Sequence, residues 1–151
     1  MSRWIASLSL LTLLSCASSG PPAPPLAHPI VWVQKDFEEK GGILAVVGTL
    51  TLTISPEGEG ESTCKRQLFT DVDRRGWLSN EERWALHTKI EAWVAAAGKP
   101  EAPGAKSHGT LTYGDLKVGW EKGASLAPEL AALLEQLKEI TFSLNTYRKR
   151  G

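Results

Sequence analysis

ILAVVGTLTLTIS, residues 43–55, is the stretch that decides the fold. From Thr49 it alternates, with Leu50, Leu52 and Ile54 on one side and Thr49, Thr51 and Thr53 on the other. Successive side chains of a strand point to opposite faces, so this period of two predicts a half-buried antiparallel strand. Downstream, Pro56-Glu57-Gly58-Glu59-Gly60 cannot continue the strand and should turn the chain. Residues 62–69 then read as a return strand that completes a hairpin. Upstream, Gly41-Gly42 separates it from a polar stretch, residues 34–40, and from a short apolar strand over residues 30–33.

The next element has a written start. Ser79-Asn80-Glu81-Glu82 is a capping box, in which the Ser79 hydroxyl accepts from the Glu82 backbone N–H and the Glu82 carboxylate reaches back. Leu86, Ile90, Trp93 and Ala97 follow on one helical face, and Gly98, Pro100 and Pro103 stop the helix. Residues 98–109 read as a loop. Residues 110–113 and 116–121 flank Gly114-Asp115, the pattern of a tight hairpin with glycine supplying positive φ in a type II′ turn. Pro128 suits the first position of a second helix, whose stripe is Leu126, Leu130, Leu133, Leu137 and Ile140. Residues 141–147 read as a final edge strand. The order predicts an α+β fold: an antiparallel sheet of about four to six strands with two helices packed on one face.

The N-terminus carries a different signal. Arg3 is followed by an uncharged, mostly apolar run over residues 4–14. That is the length of a signal-peptide core and too short for a bilayer, which needs roughly 20 apolar residues. The run ends in Leu13-Leu14-Ser15-Cys16, which resembles the lipobox of bacterial lipoproteins. The resemblance implies cleavage before Cys16 and acylation of that residue, with diacylglyceryl on its sulfur and palmitate-type chains. Residues 1–15 are then a signal peptide. Residues 16–29 are the lipidated cysteine and an uncharged proline-rich tether, extended in polyproline II. Residues 30–151 form one α+β domain, long enough to bury a core. Ala17, rather than Asp, after the cysteine favours the outer membrane under the enterobacterial sorting rule. The expected location is the cell envelope, lipid-anchored and facing the periplasm.

Charge narrows the partners. Lys and Arg number 17 against 17 Asp and Glu, and Arg3 leaves with the signal, so no basic excess points to nucleic acid. Arg148-Lys149-Arg150 reads as a solvated tail. With Cys16 acylated, Cys64 has no cysteine partner; it reads as a small buried hydrophobe or, alternatively, a reactive thiol. Asp71-Val72-Asp73-Arg74-Arg75-Gly76-Trp77-Leu78-Ser79-Asn80-Glu81-Glu82 resembles an EF-hand loop, with Asp71, Asp73 and Glu82 as the calcium candidates. Arg75 puts a cation where a ligand belongs, and the alternative reading of Asp71, Asp73 and Gly76 is a turn between strand and helix. His28, His87 and His108 are scattered, apart from Glu91 at i+4 from His87. No Gly-rich phosphate loop, nucleophile elbow or HExxH occurs, so neither an enzyme nor a cofactor is expected. Trp32, Trp77, Trp84, Trp93 and Trp120 follow the signal, each a core residue or an interface aromatic.

From Lys40 onward the chain also resembles the emfourin family, small inhibitors of thermolysin-like metalloproteases. The matching features are Gly41-Gly42 entering the long strand, Leu78-Ser79-Asn80-Glu81-Glu82 opening a helix that ends in Ala95-Ala96-Ala97-Gly98, the hairpin over residues 110–121, and Gly123-Ala124-Ser125-Leu126 before a Leu-rich helix. In that family a glycine-containing segment approaches the protease active site. Carried over, the resemblance implies a protein-binding site at Lys40, Gly41, Gly42 and Ile43, where the plain alternative is a Gly-Gly turn. Two departures stand out: the export signal, and a region over residues 44–69 longer than the pattern requires. The expected function is a membrane-anchored, non-catalytic envelope lipoprotein with a protein-binding domain, as a metalloprotease inhibitor. The alternatives are a structural lipoprotein that docks an envelope partner, or a calcium-binding domain.

Overall fold

Strand β1 (Ile30–Lys40) turns at Gly41-Gly42 into β2 (Ile43–Ile54), followed by β3 (Glu59–Arg66) and β4 (Phe69–Trp77). Helix α1 (Asn80–Ala96), the hairpin β5 (Gly109–Tyr113) and β6 (Leu116–Trp120), and helix α2 (Pro128–Ser143) complete the order. The computed structural model describes residues 20–67, 69–97 and 107–144. The strands form one six-stranded antiparallel sheet in the order β4-β3-β2-β1-β5-β6. This is the expected α+β class, at the upper end of the expected strand number.

The register explains why one face is the core. Trp32 lies opposite Leu52 on one side and Leu111 on the other, and Ile30 lies between Ile54 and Tyr113. These inward positions are bulky, and Trp32, Ile30, Leu52, Ile54 and Leu111 are fully buried. The intervening positions put Val33 between Thr51 and Thr110 on the outer face. Leu86, Ile90 and Trp93 of α1 and Leu130, Leu133, Leu137 and Ile140 of α2 close the same core from the helix side. Lys89 Nζ donates to Gln136 Oε1 at 3.2 Å and ties the two helices together.

The capping box forms as expected: Glu82 N–H donates to Ser79 Oγ at 3.2 Å and Ser79 N–H to Glu82 Oε2 at 2.7 Å. Loss of a serine N-cap typically costs about 1 kcal/mol. Ser79→Ala should therefore lower stability by about that amount in a urea titration, and an unchanged midpoint would contradict the cap's role. Gly114 has φ +58 at the β5–β6 turn, the sign that the type II′ reading requires.

Four readings of the sequence are corrected. Residues 34–40, read as a polar stretch beyond a short strand, are the second half of β1, held by backbone pairing to β2. Residues 69–77 are the strand β4, not a turn leading into the helix, and β3 ends at Arg66 rather than running to residue 69. β4 is an edge strand, and of its inward positions Val72, Arg74 and Gly76 only the exposed Val72 is apolar, too little to announce a strand. Residues 141–143 continue α2, where Thr141 Oγ1 donates to Leu137 O at 2.8 Å, and residues 145–147 lie outside the described residues.

The proline-rich segment is also more than an extended spacer. Residues 20–29 lie across one end of the sheet as a strap, with Ala23 and Leu26 buried. Prolines lack the N–H a ladder would need, and three of the donors that remain bond to the body: Ala23 N–H to Asn80 Oδ1 (2.7 Å), Leu26 N–H to Pro56 O (3.0 Å) and Ala27 N–H to Tyr113 Oη (3.2 Å). In return the strap accepts from the body, at Pro21 O from Trp84 Nε1 (2.9 Å) and at Ala23 O from Arg83 (3.1 Å). His28 packs edge-on against Tyr113, its ring 2.6 Å from where a Cβ on Gly114 would sit. Residues 1–19, including Cys16 and the signal peptide, lie outside the described residues.

Candidate functional site

Among the described residues, the β1–β2 hairpin is longer than the strands beside it. β5 pairs with β1 only from Ile30 to Gln34, and β3 pairs with β2 only from Gly48 to Ile54. β1 and β2 continue to pair with each other up to Lys40 opposite Ile43. Residues 36–47 thus form a two-stranded arm that passes the rest of the sheet by about five residues per strand, roughly 15 Å at 3.3 Å per residue.

Local chemistry shapes both ends of the arm. At its base the register slips between Asp36 and Phe37, leaving Val47 as an extra residue in β2. Such a bulge increases the local twist and bends the strand. Gln67 steadies this point, donating from its backbone N–H to Val47 O (3.3 Å) and from Nε2 to Val46 O (2.9 Å). At the tip, Gly41 and Gly42 have φ +58 and +80. Positive φ at both central residues marks a type I′ turn, which matches strand twist and which glycine adopts without steric penalty.

Lys40, Gly41, Gly42 and Ile43 are therefore brought together as the outermost turn of the arm. The Gly-Gly turn and the projecting segment are one feature. Beyond Gln34 on β1, Lys35 N–H still reaches His108 O at 2.7 Å; further out, among the described residues, neither edge of the arm has a strand beside it. Unpaired strand edges present rows of N–H and C=O that accept an extended segment from another chain. Val46 is exposed, and a groove of about 270 Å³ lies at the base of the arm between Val46, Thr49, Lys65 and Arg66.

The calcium candidates are arranged differently. β4 runs extended through Asp71 and Asp73, where an EF-hand loop would curl around its ion. Glu82 is held by Ser79 N–H. Among the described residues no group of three or more His, Cys, Asp or Glu side chains is placed to hold a metal. His87 Nδ1 lies 3.5 Å from Glu91 Oε1, the i,i+4 contact visible in the sequence, while His28 sits on the strap and His108 beside β5. Cys64 is half-buried on the inward side of β3, opposite Leu50.

An open depression of about 630 Å³ lies between the strap, α1 and the β5–β6 turn, lined by His28, Ile90, Val94, Tyr113 and Leu116 among others. Sequence reasoning did not find it, because its walls come from three separated segments. Among the described residues no helix is long and apolar enough to cross a membrane. Protein-family models give no match to the chain, and curated proteins give none either.

Proposed function

We propose that this chain is an envelope lipoprotein, anchored through Cys16, whose non-catalytic domain binds a protein partner through the β1–β2 arm. The observation that carries the reading is the arm, which presents Gly41-Gly42 beyond both neighbouring strands. The favoured form of that activity is inhibition of a thermolysin-like metalloprotease, consistent with the emfourin resemblance. A narrow, two-stranded projection with a side-chain-free tip suits entry into a protease cleft, where backbone can approach a substrate channel closely.

The test is titration of residues 17–151 against a thermolysin-like protease at micromolar concentration. Inhibition is expected. A second chain, in which Phe37 is joined to Val46 through Asn-Gly, should lose it while keeping its melting temperature within a few degrees. Phe37, Ala45, Val46 and Val47 lie outside the buried core cluster, so trimming above Phe37 and Val46 leaves the core packing in place. Absence of inhibition by the untrimmed chain would sink the inhibitor form. The unpaired arm edges favour a second form, a structural lipoprotein that docks an extended segment of an envelope partner by strand addition. Crosslinking from membranes would then recover one partner with the full arm and none with the trimmed arm.

A further inference from the structure

The strap supplies an orientation that a free tether would not. Taking the lipoprotein reading above as its basis, we infer that the end of the sheet crossed by residues 20–29, with the first turns of α1, is the face that rests on the bilayer. The Trp84 indole then lies at headgroup depth and the arm is held away from the lipid.

The length of chain decides this first. A flexible tether over residues 16–29 would let the domain move up to about 50 Å from its anchor and tumble there. Instead Pro21 is fastened to α1, its carbonyl accepting from Trp84 Nε1 at 2.9 Å and from Asn80 Nδ2 at 3.1 Å. Only five residue steps, 16 to 21, separate the acylated cysteine from the fastened Pro21, a reach of at most about 18 Å. The domain end that carries Pro21 is therefore always the end nearest the lipid.

The surface chemistry agrees. Pro21, Pro22, Pro24 and Pro25 are exposed, and residues 17–29 carry no formal charge. Trp84 is 39% exposed beside them. Tryptophan, with an apolar ring and one polar N–H, is the side chain most at home at a membrane–water boundary. Glu81 is exposed one turn before Trp84, and its charge favours headgroup depth over deeper insertion. From this end β1 runs for 11 residues, so the Gly41-Gly42 tip stands about 35 Å away along the strand direction.

The experiment uses the full acylated chain in phosphatidylcholine vesicles with and without dibrominated acyl chains, which quench nearby tryptophan. Part of the emission should be quenched by the brominated lipid. That part should vanish in Trp84→Phe, and also in the unsubstituted chain when a flexible Gly-Ser insert of about 20 residues is placed between Ser19 and Gly20. Buried Trp32 and Trp93 provide the unquenched signal in every sample. A chain that floats with the vesicles, yet shows the same quenching with and without Trp84, or none at all, overturns the orientation and leaves the anchor standing. A chain that does not float and carries no diacylglyceryl group on Cys16 overturns both.

Discussion

Trp32→Ala is expected to destabilise the domain by about 3–5 kcal/mol, and Trp32→Phe by clearly less, about 1–2 kcal/mol. Trp32 is 2% exposed and sits at the centre of the inward face, between Leu52 and Leu111. Truncation to alanine removes the whole ring from the place where the sheet meets both helices, and the surrounding residues can collapse only partly into the gap. Phenylalanine keeps an aromatic ring in the same place. It also gives up little polar stabilisation, because among the described residues the buried Trp32 Nε1 has no hydrogen-bond partner. A domain of this size is stable by about 5–15 kcal/mol, so the alanine variant should lose a large share of its stability. Guanidinium titrations of the three chains check this. An alanine variant within 1 kcal/mol of the parent would mean the core centre is elsewhere; equal losses for alanine and phenylalanine would mean that the six-membered ring contributes no net packing there.

Removal of the strap should have the next largest effect. A chain starting at Ile30 is expected to melt about 10 °C below one starting at Gly20, a loss of about 2–4 kcal/mol. Burial of a leucine side chain stabilises by about 1.5–3 kcal/mol, and Leu26 is 9% exposed in a cluster that includes Leu78 and Leu86. Each strap hydrogen bond adds about 0.5–1.5 kcal/mol. Against these stands the entropy of ordering the segment, which proline reduces because its φ is already restricted. Asn80→Ala in the longer chain should reproduce a fraction of the loss, since Asn80 holds Ala23 N–H and Pro21 O. Equal melting temperatures for the two chains would show that the strap is a passive spacer. The result bears on inhibition assays too: a chain cut at Ile30 would confound lost binding with lost stability.

The two elements that surprised have opposite causes. The strap reads as an open spacer because prolines exclude helix and ladder, and nothing local reveals that Asn80 and Arg83, some 60 residues away, hold it down. The first half of the arm reads as a polar stretch because residues 34–40 lack alternation; their strand character comes from backbone pairing with β2. Lys40 to Ile43 was legible as a glycine turn. Its position beyond the sheet depends on where β3 and β5 stop, which no residue within the arm encodes. β4 escaped for a related reason, as an edge strand with Arg74 and Gly76 facing inward.

What the amino-acid sequence determined by itself is local and periodic. The Leu50-Leu52-Ile54 alternation, the Ser79 capping box, the α1 and α2 stripes and the glycine turns each rest on spacings of a few residues. Together they settle an α+β fold with two helices on one sheet face. The tertiary structure alone decided what depends on distant partners: that β1 joins the two hairpins, that residues 20–29 are fastened across the end of the sheet, and that the β1–β2 arm outruns its neighbours. Those outcomes follow from which backbone donors and apolar surfaces meet once the chain is folded, and such meetings leave no period in the sequence to read.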